Sequence, residues 1–145
     1  PYDVFPVSDG DVIIATGNDG QYRKLCEVLG APELAHDARF ARSKDRVINR
    51  VAFNETFYPI FRRFTRAALL PKLDAAGVPA GPINNVGEVF ADPQIVHRGM
   101  RIDIDNPLAA TGATPGLRAP IVMDGEPLAA PRPAPGLGQH NDDVL

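Results

Sequence analysis

The chain has 145 residues, 44% hydrophobic and 23% charged, with a formal net charge of -3 and no Trp. That length suits one domain with a buried core, and the acidic balance argues against a nucleic-acid surface, which carries a basic excess. No apolar run reaches the ~20 residues that cross a bilayer, and no basic stretch followed by an apolar one opens the chain, so neither a membrane span nor a signal peptide is expected.

Tyr2 to Val7 and Asp11 to Thr16 are apolar, β-branched-rich runs separated by Ser8-Asp9-Gly10. They predict a hairpin with Asp9-Gly10 in the turn. Asn18 or Asp19 caps a helix that starts near Gly20. Tyr22, Leu25, Cys26 and Leu29 fall at i, i+3, i+4 and i+7, one apolar stripe that Gly30 and Pro32 bring to an end. Cys26 has no second cysteine to pair with, so a buried thiol in a reducing, cytoplasmic setting is expected.

Glu33 to Arg42 reads as a short helix or turn plus a loop. Ser43 is placed to cap a longer helix from about Lys44, with Asp45 in its first turn. Val47, Val51, Phe57, Ile60, Phe61 and Phe64 supply its apolar side, and Pro59 is expected to kink or divide it. Thr65 caps the next helix, which carries Leu69, Leu70, Leu73 and Ala76 inward and stops at Gly77. Pro71 falls early in that helix, where proline is tolerated.

The run from Gly77 to Asn84 is dense in Gly and Pro. It reads as a rigid connector that turns one core helix into the next. Val86 to Phe90 predicts a short helical turn, and Asp92-Pro93 a capped helix through about Gly99. Arg101 to Asp105 alternates charged and apolar residues, the pattern of a strand with one wet face. From Asn106 to Gly138 there are seven Pro and five Gly in 33 residues. Ile121-Val122-Met123 is the only strand predicted there, and the rest reads as extended coil needing another surface to lie on. Pro1, rather than Met, opens the chain, and the expectation is a portion of a longer protein.

No catalytic constellation emerges from the residues. His36, His97 and His140 lie far apart without Cys, Asp or Glu at metal-ligand spacing, so surface or hydrogen-bonded histidines and no metal are expected. Arg62-Arg63 with Arg66 reads as a solvated helix face. There is no Gly-x-Ser-x-Gly elbow and no phosphate loop. Gly17-Asn18-Asp19-Gly20 has the wrong spacing for a nucleotide fingerprint, and helix capping accounts for it. The functional reading rests on position. A loop between a strand end and a helix N-terminus presents free N–H groups and a positive dipole end to an anionic or carbonyl-bearing ligand, which makes Asn18, Asp19 and Gln21 candidate substrate-binding residues.

Several blocks in fixed order resemble the family III CoA-transferases, the group that includes formyl-CoA transferase, the CaiB and BaiF proteins and α-methylacyl-CoA racemase. The blocks are Pro1-Tyr2, Phe5, Asp9-Gly10, Ile13-Ile14-Ala15, Gly17-Asn18-Asp19, Gln21-Tyr22, Leu25-Cys26 and Leu29-Gly30. They continue with Asp37-Ala38-Arg39-Phe40, Arg46, Asn49-Arg50, Ala76 to Asn84, Asp92-Pro93-Gln94 and Arg98-Gly99-Met100. Leu137-Gly138-Gln139-His140 and Asp143-Val144-Leu145 resemble the family's tail, with Gln139 where Glu is usual.

The resemblance implies an α+β fold, with a small antiparallel sheet and packed helices over 1–105. An extended Pro/Gly-rich segment over 106–145 would return toward a large CoA-binding domain outside this chain. It implies that the parent is an interlocked homodimer whose substrates, a coenzyme A thioester and a carboxylic acid, are held through that large domain. The nucleophilic aspartate would lie there too, leaving no catalytic residue and no bound cofactor in this chain and making it inactive alone. Racemase members use acid–base residues on the large domain instead, and Asp19 lies where they often carry an acidic residue facing the cleft. The alternatives are therefore part of a 2-methylacyl-CoA racemase, or a stand-alone binding or assembly module.

Overall fold

Phe5 and Val7 of β1 (Tyr2–Val7) and Val12 and Ile14 of β2 (Gly10–Ala15) are all buried, while Val4 of β1 is exposed. This period-two pattern is what a strand with one face on a core requires. The structure is a computed structural model that describes residues 1–129 and 132–144. The two strands form the predicted antiparallel hairpin, with Phe5 opposite Val12 and Val7 opposite Gly10. Ser8 and Asp9 make the loop and Gly10 opens β2 at φ +144°. Asp9 Oδ1 accepts the Arg66 N–H at 2.7 Å, and the Ser8 N–H and hydroxyl both donate to the Phe64 carbonyl at 2.9 Å. The turn is thereby anchored to the Phe64–Arg66 junction.

Helix α1 (Asp19–Val28) is capped by Asn18, whose side chain accepts from the Gln21 N–H. Its Tyr22, Leu25 and Cys26 are buried, with Leu29 just beyond. The Tyr22 hydroxyl donates to the Leu34 carbonyl at 2.9 Å, within the 3₁₀ turn Pro32–His36. Burial, first, pushes the Tyr22 phenol and the Cys26 thiol above their usual ranges.

The middle of the chain departs from the sequence reading. One long helix capped by Ser43 and kinked or divided at Pro59 was expected. Instead Arg42 holds the cap position, Ser43 begins α2 (Ser43–Ile48), and the break falls at Asn49, whose φ and ψ of -97° and 29° leave the helical region. Helix α3 (Arg50–Phe61) continues through Pro59. Pro59 lies in its last turn, so the missing N–H costs one backbone bond near an end. Val47 and Val51, assigned to the apolar side, are 72% and 73% exposed, whereas Phe53 is 2% exposed. Phe53, Phe57, Ile60 and Phe61 follow i, i+4, i+7, i+8 and share one face, while Val51 lies two residues from Phe53 and so points away.

Helix α4 (Arg66–Ala75) has the predicted Thr65 cap, with Leu69 and Leu73 buried. Pro71 stands at its sixth position, past the first turn that tolerates proline freely, and the helix still continues. The Gly77 to Asn84 run is more than a connector. Ala80–Pro82 forms β3, a third strand antiparallel to β2, with Ile14 opposite Ala80 and Val12 opposite Pro82. The sheet order is β1-β2-β3. Pro82 is accommodated because β3 is an edge strand.

An aromatic cluster holds these layers together. Phe53 stacks on Phe57 at 4.1 Å between ring centroids and meets Phe40 edge-on at 5.3 Å. Phe5 stacks on Phe61 at 4.5 Å, and Tyr22 tilts toward Phe53 at 6.1 Å. Sheet, α1 and α3 therefore close on one core, stabilised by ring geometry beyond plain area burial.

The chain divides into two compact units, Pro1–Ile83 and Asn84–Leu145, whereas the resemblance implied a division at 105/106. The difference arises because β4 (Arg101–Asp105) pairs with β5 (Ala113–Leu117), which keeps the two sides of that boundary in one unit. Strand β5 corrects the extended-coil reading, and Gly116 lets the Ile104 side chain lie close over it, since a Cβ there would meet Ile104 Cδ1 at 2.8 Å and displace that methyl. A second small pairing joins β6 (Val122–Met123) to β7 (Glu126–Pro127). The second unit also holds α5 (Val86–Ala91), with an Asn85/Glu88 capping box, and α6 (Pro93–His97), with the predicted Asp92 cap.

Among its described residues only Arg118 is buried. That guanidinium donates to the Arg98, Gly99 and Ala119 carbonyls, the first two at the C-terminal end of α6. Near the chain end is α7 (Asn141–Val144). Leu145 of the tail resemblance lies outside the described residues, as do Ala130 and Pro131 of the predicted return segment. Among the described residues no helix is long and apolar enough to cross a membrane.

Candidate functional site

The sequence-predicted residues Asn18, Asp19 and Gln21 meet at the N-terminal end of α1, and each side chain has a partner inside the chain. Asn18 Oδ1 accepts the Gln21 N–H at 2.9 Å, while Gln21 Oε1 accepts the Gly17 N–H at 2.8 Å. This reciprocal pair closes the loop after β2 and performs the capping role. Asp19 Oδ1 accepts from Arg46 Nη2 at 2.7 Å.

Arg46 organises this corner. Its side chain is 4% exposed, against 41% for Asp19. Nη1 donates to the Phe40 carbonyl at 2.7 Å and to that of Ala41 at 3.2 Å. Its guanidinium carbon sits 4.2 Å from the centre of the Tyr22 ring. A buried cation with carbonyl, carboxylate and aromatic partners is the arrangement that offsets its desolvation. The Arg46 bond, first, holds the Asp19 carboxyl below the usual carboxylate range; burial opposes it, and the Ser43 N–H reinforces it.

Beside this corner the first unit carries a cleft of about 410 Å³. Tyr2 and Asp3 of β1 form one wall and Thr16 and Gly17 its end. The helical wall presents Arg46, Val47, Arg50, Phe53 and Asn54. Arg50 Nη2 contacts Asp3 Oδ2 at 2.6 Å, and Asn54 Nδ2 lies 3.5 Å from the same oxygen. Burial raises the Asp3 carboxyl, but the Val4 N–H and Arg50 outweigh it and hold it below its ordinary value.

The cleft thus sets the largely exposed Arg50 guanidinium against the Asp3 carboxylate beside the apolar Tyr2, Val47 and Phe53, while Arg46, at its edge, is already committed to Phe40, Ala41 and Asp19. No histidine lines it: His36 and His97 are exposed on the surface, and His140 Nδ1 lies 3.1 Å from Asp143 Oδ2. Asp3 and Arg50 were not read as site residues from the sequence. The signal for Arg50 was its i+4 spacing from Arg46, which is visible only once both fall on adjoining helices; Asp3 has no local signal, being brought in by the hairpin.

The whole of this framework has counterparts. The succinate–glutarate CoA-transferase of Agrobacterium fabrum is 43% identical over the full chain, which spans 36% of that protein. Human succinyl-CoA:glutarate CoA-transferase is 32% identical, again over the full chain, and 33% of it is covered. Among solved structures, a CaiB/BaiF family protein from Brucella suis superposes with a TM-score of 0.76 at 44% identity, over 99% of this chain and 36% of that one. The chain thus spans about a third of the length of the curated relatives it matches. The pattern of CoA-transferase family III itself runs through residues 1–141, from the β1–β2 hairpin and the Asp19 loop to the start of α7, and the chain belongs to that family.

Proposed function

We propose that this chain is the small-domain portion of a CoA-transferase that moves CoA between carboxylic acids. The covalent relay runs through an aspartate outside these residues. A carboxylate suits that task because acyl-anhydride and thioester intermediates divide one hard transfer into easier steps. The supporting observation is the match over residues 1–141 together with relatives named as CoA-transferases, of which this chain spans about a third.

In this reading Asn18, Asp19 and Gln21 form the substrate-facing edge of the small domain. The adjoining Thr16 and Gly17 line the cleft, and Asp19 keeps a partly exposed carboxylate beside it. Residues 106–145 return toward the large domain, the parent is an interlocked homodimer, and Cys26 stays a reduced thiol in the cytoplasm.

The test is CoA transfer from succinyl-CoA to glutarate, assayed with the full-length protein and with the 145-residue chain alone. Transfer by the full-length protein and none by the isolated chain is expected, and Asp19→Asn in the full-length protein lowers kcat while leaving the fold intact. Turnover by the isolated chain refutes the division of labour. α-Proton exchange on a 2-methylacyl-CoA without any transfer makes the parent a racemase.

A further inference from the structure

We propose that the cleft between β1 and α3 binds the non-reacting carboxylate of a dicarboxylic acid, with Arg50 as its cationic partner. This rests on the CoA-transferase reading above, and it assigns a substrate-selecting site to the small domain.

The chemistry sets the requirement. A dicarboxylic acid offers one carboxyl to the thioester exchange and keeps the other as a charged group. Removing that carboxylate from water is costly unless a cation and hydrogen bonds receive it. Relatives of this chain are named for succinate and glutarate, both dicarboxylic acids.

Arg46 is unsuited to the task. It is buried, and its two Nη groups already serve Phe40, Ala41 and Asp19. Arg50 is suited. It lines the cleft, its side chain is 61% exposed, and among the described residues its single polar contact runs from Nη2 to Asp3. The rest of the guanidinium fork is open, and that planar fork matches a carboxylate in two parallel hydrogen bonds. Asn54 adds an amide, while Tyr2, Val47 and Phe53 form an apolar wall for the connecting methylenes. The cleft volume, about 410 Å³, lies within the ~300–1,000 Å³ typical of small-molecule sites. Asp3 has a second consequence. Its carboxylate already occupies one nitrogen of Arg50, so it competes with an incoming anion.

The experiment compares glutarate with valerate, a monocarboxylate of equal chain length, as CoA acceptors for the full-length protein. In Arg50→Ala the ratio of kcat/KM for glutarate to that for valerate falls roughly 10- to 100-fold, chiefly through KM for glutarate. Arg50→Lys, which keeps the charge but not the fork, recovers part of that ratio. Asp3→Asn separates selection from structure: it also breaks the Arg50 pair, yet it leaves the ratio unchanged or raises it. An equal fall on both acceptors, no change in Arg50→Ala, or an Asp3→Asn variant that behaves like Arg50→Ala overturns the proposal. If the wild-type protein transfers CoA to valerate but not to glutarate, the proposal fails while the transferase reading stands. If it transfers CoA to neither, that reading fails and calorimetric titration with glutarate decides the cleft alone. Binding weakened by Arg50→Ala supports it, and no binding to the wild type ends it.

Discussion

Arg46 and Asp19, 27 residues apart in sequence, meet through a 2.7 Å contact in which one partner is almost wholly buried and the other is partly in water. The asymmetry decides what each contributes. Asp19 retains solvent, so its pairing energy is screened. Arg46 is committed to the Phe40 and Ala41 carbonyls and to the face of Tyr22. Arg46→Met should therefore cost roughly 2–4 kcal/mol, most of it from leaving those carbonyls without a donor. Urea unfolding measures this. A loss no larger than that of an exposed-site variant would show that the carbonyls find other donors.

The same pair makes stability pH-dependent in a defined direction. Asp19 is held low by the Arg46 bond, with burial opposing. Its contribution is complete above the unfolded carboxyl pKa of about 3.9, and it is lost as pH falls through the lower folded value. Asp19→Asn removes that contribution at every pH. Wild type and Asp19→Asn should therefore differ in urea midpoint near neutrality and converge as the pH drops below about 4. A gap that stays constant into acid would assign the difference to something other than this titration.

Phe53 and Val51 offer a paired test of the core. Phe53 is 2% exposed and packs against Phe57, Phe40, Phe5 and Tyr22, whereas Val51, on the same helix, is 73% exposed. Phe53→Ala is expected to cost about 3–5 kcal/mol, from lost burial plus the cavity left behind. Val51→Ser should stay within about 0.5 kcal/mol. Comparable losses at the two positions would mean that Val51 is covered in the full-length protein.

That pair also marks how far local pattern could be read. The hairpin, the α1 stripe and the Asn18, Thr65 and Asp92 caps were legible because each depends on residues within a few positions of one another. Around Asn49 the chain offers apolar residues on both sides, Val47, Ile48 and Val51 as well as Phe53 and Phe57. Choosing between them takes the sheet against which α3 packs, and no window of neighbouring residues contains it. Strand β5 was hidden for a related reason: Pro115 and Gly116 look like coil until Ile104 is seen to occupy the space above Gly116. The cleft is further out of reach, since Asp3 and Arg50 are joined only by tertiary folding. Asp19 was legible as a position, but its partner Arg46 was not.

The Gly77 to Asn84 run is where local and tertiary demands coincide. Gly77 takes φ +67° after α4. Its N–H donates to the Asp74 carbonyl at 2.9 Å, and the Val78 N–H donates to that of Leu73, also at 2.9 Å. These two bonds are the Schellman closure, which satisfies carbonyls that the helix end leaves open. They also bury Val78 and aim the chain so that Ala80–Pro82 lies along β2. A side chain at that φ costs about 1–2 kcal/mol in strain. Gly77→Ala should lose about that much stability, whereas the comparably exposed Ala75→Gly, inside α4, should lose about 1 kcal/mol through helix propensity alone. Hydrogen exchange distinguishes the two variants, because only Gly77→Ala should speed exchange at the Ala15 N–H, whose acceptor is the Pro79 carbonyl. Unchanged protection there would mean that β3 holds its register without the glycine turn.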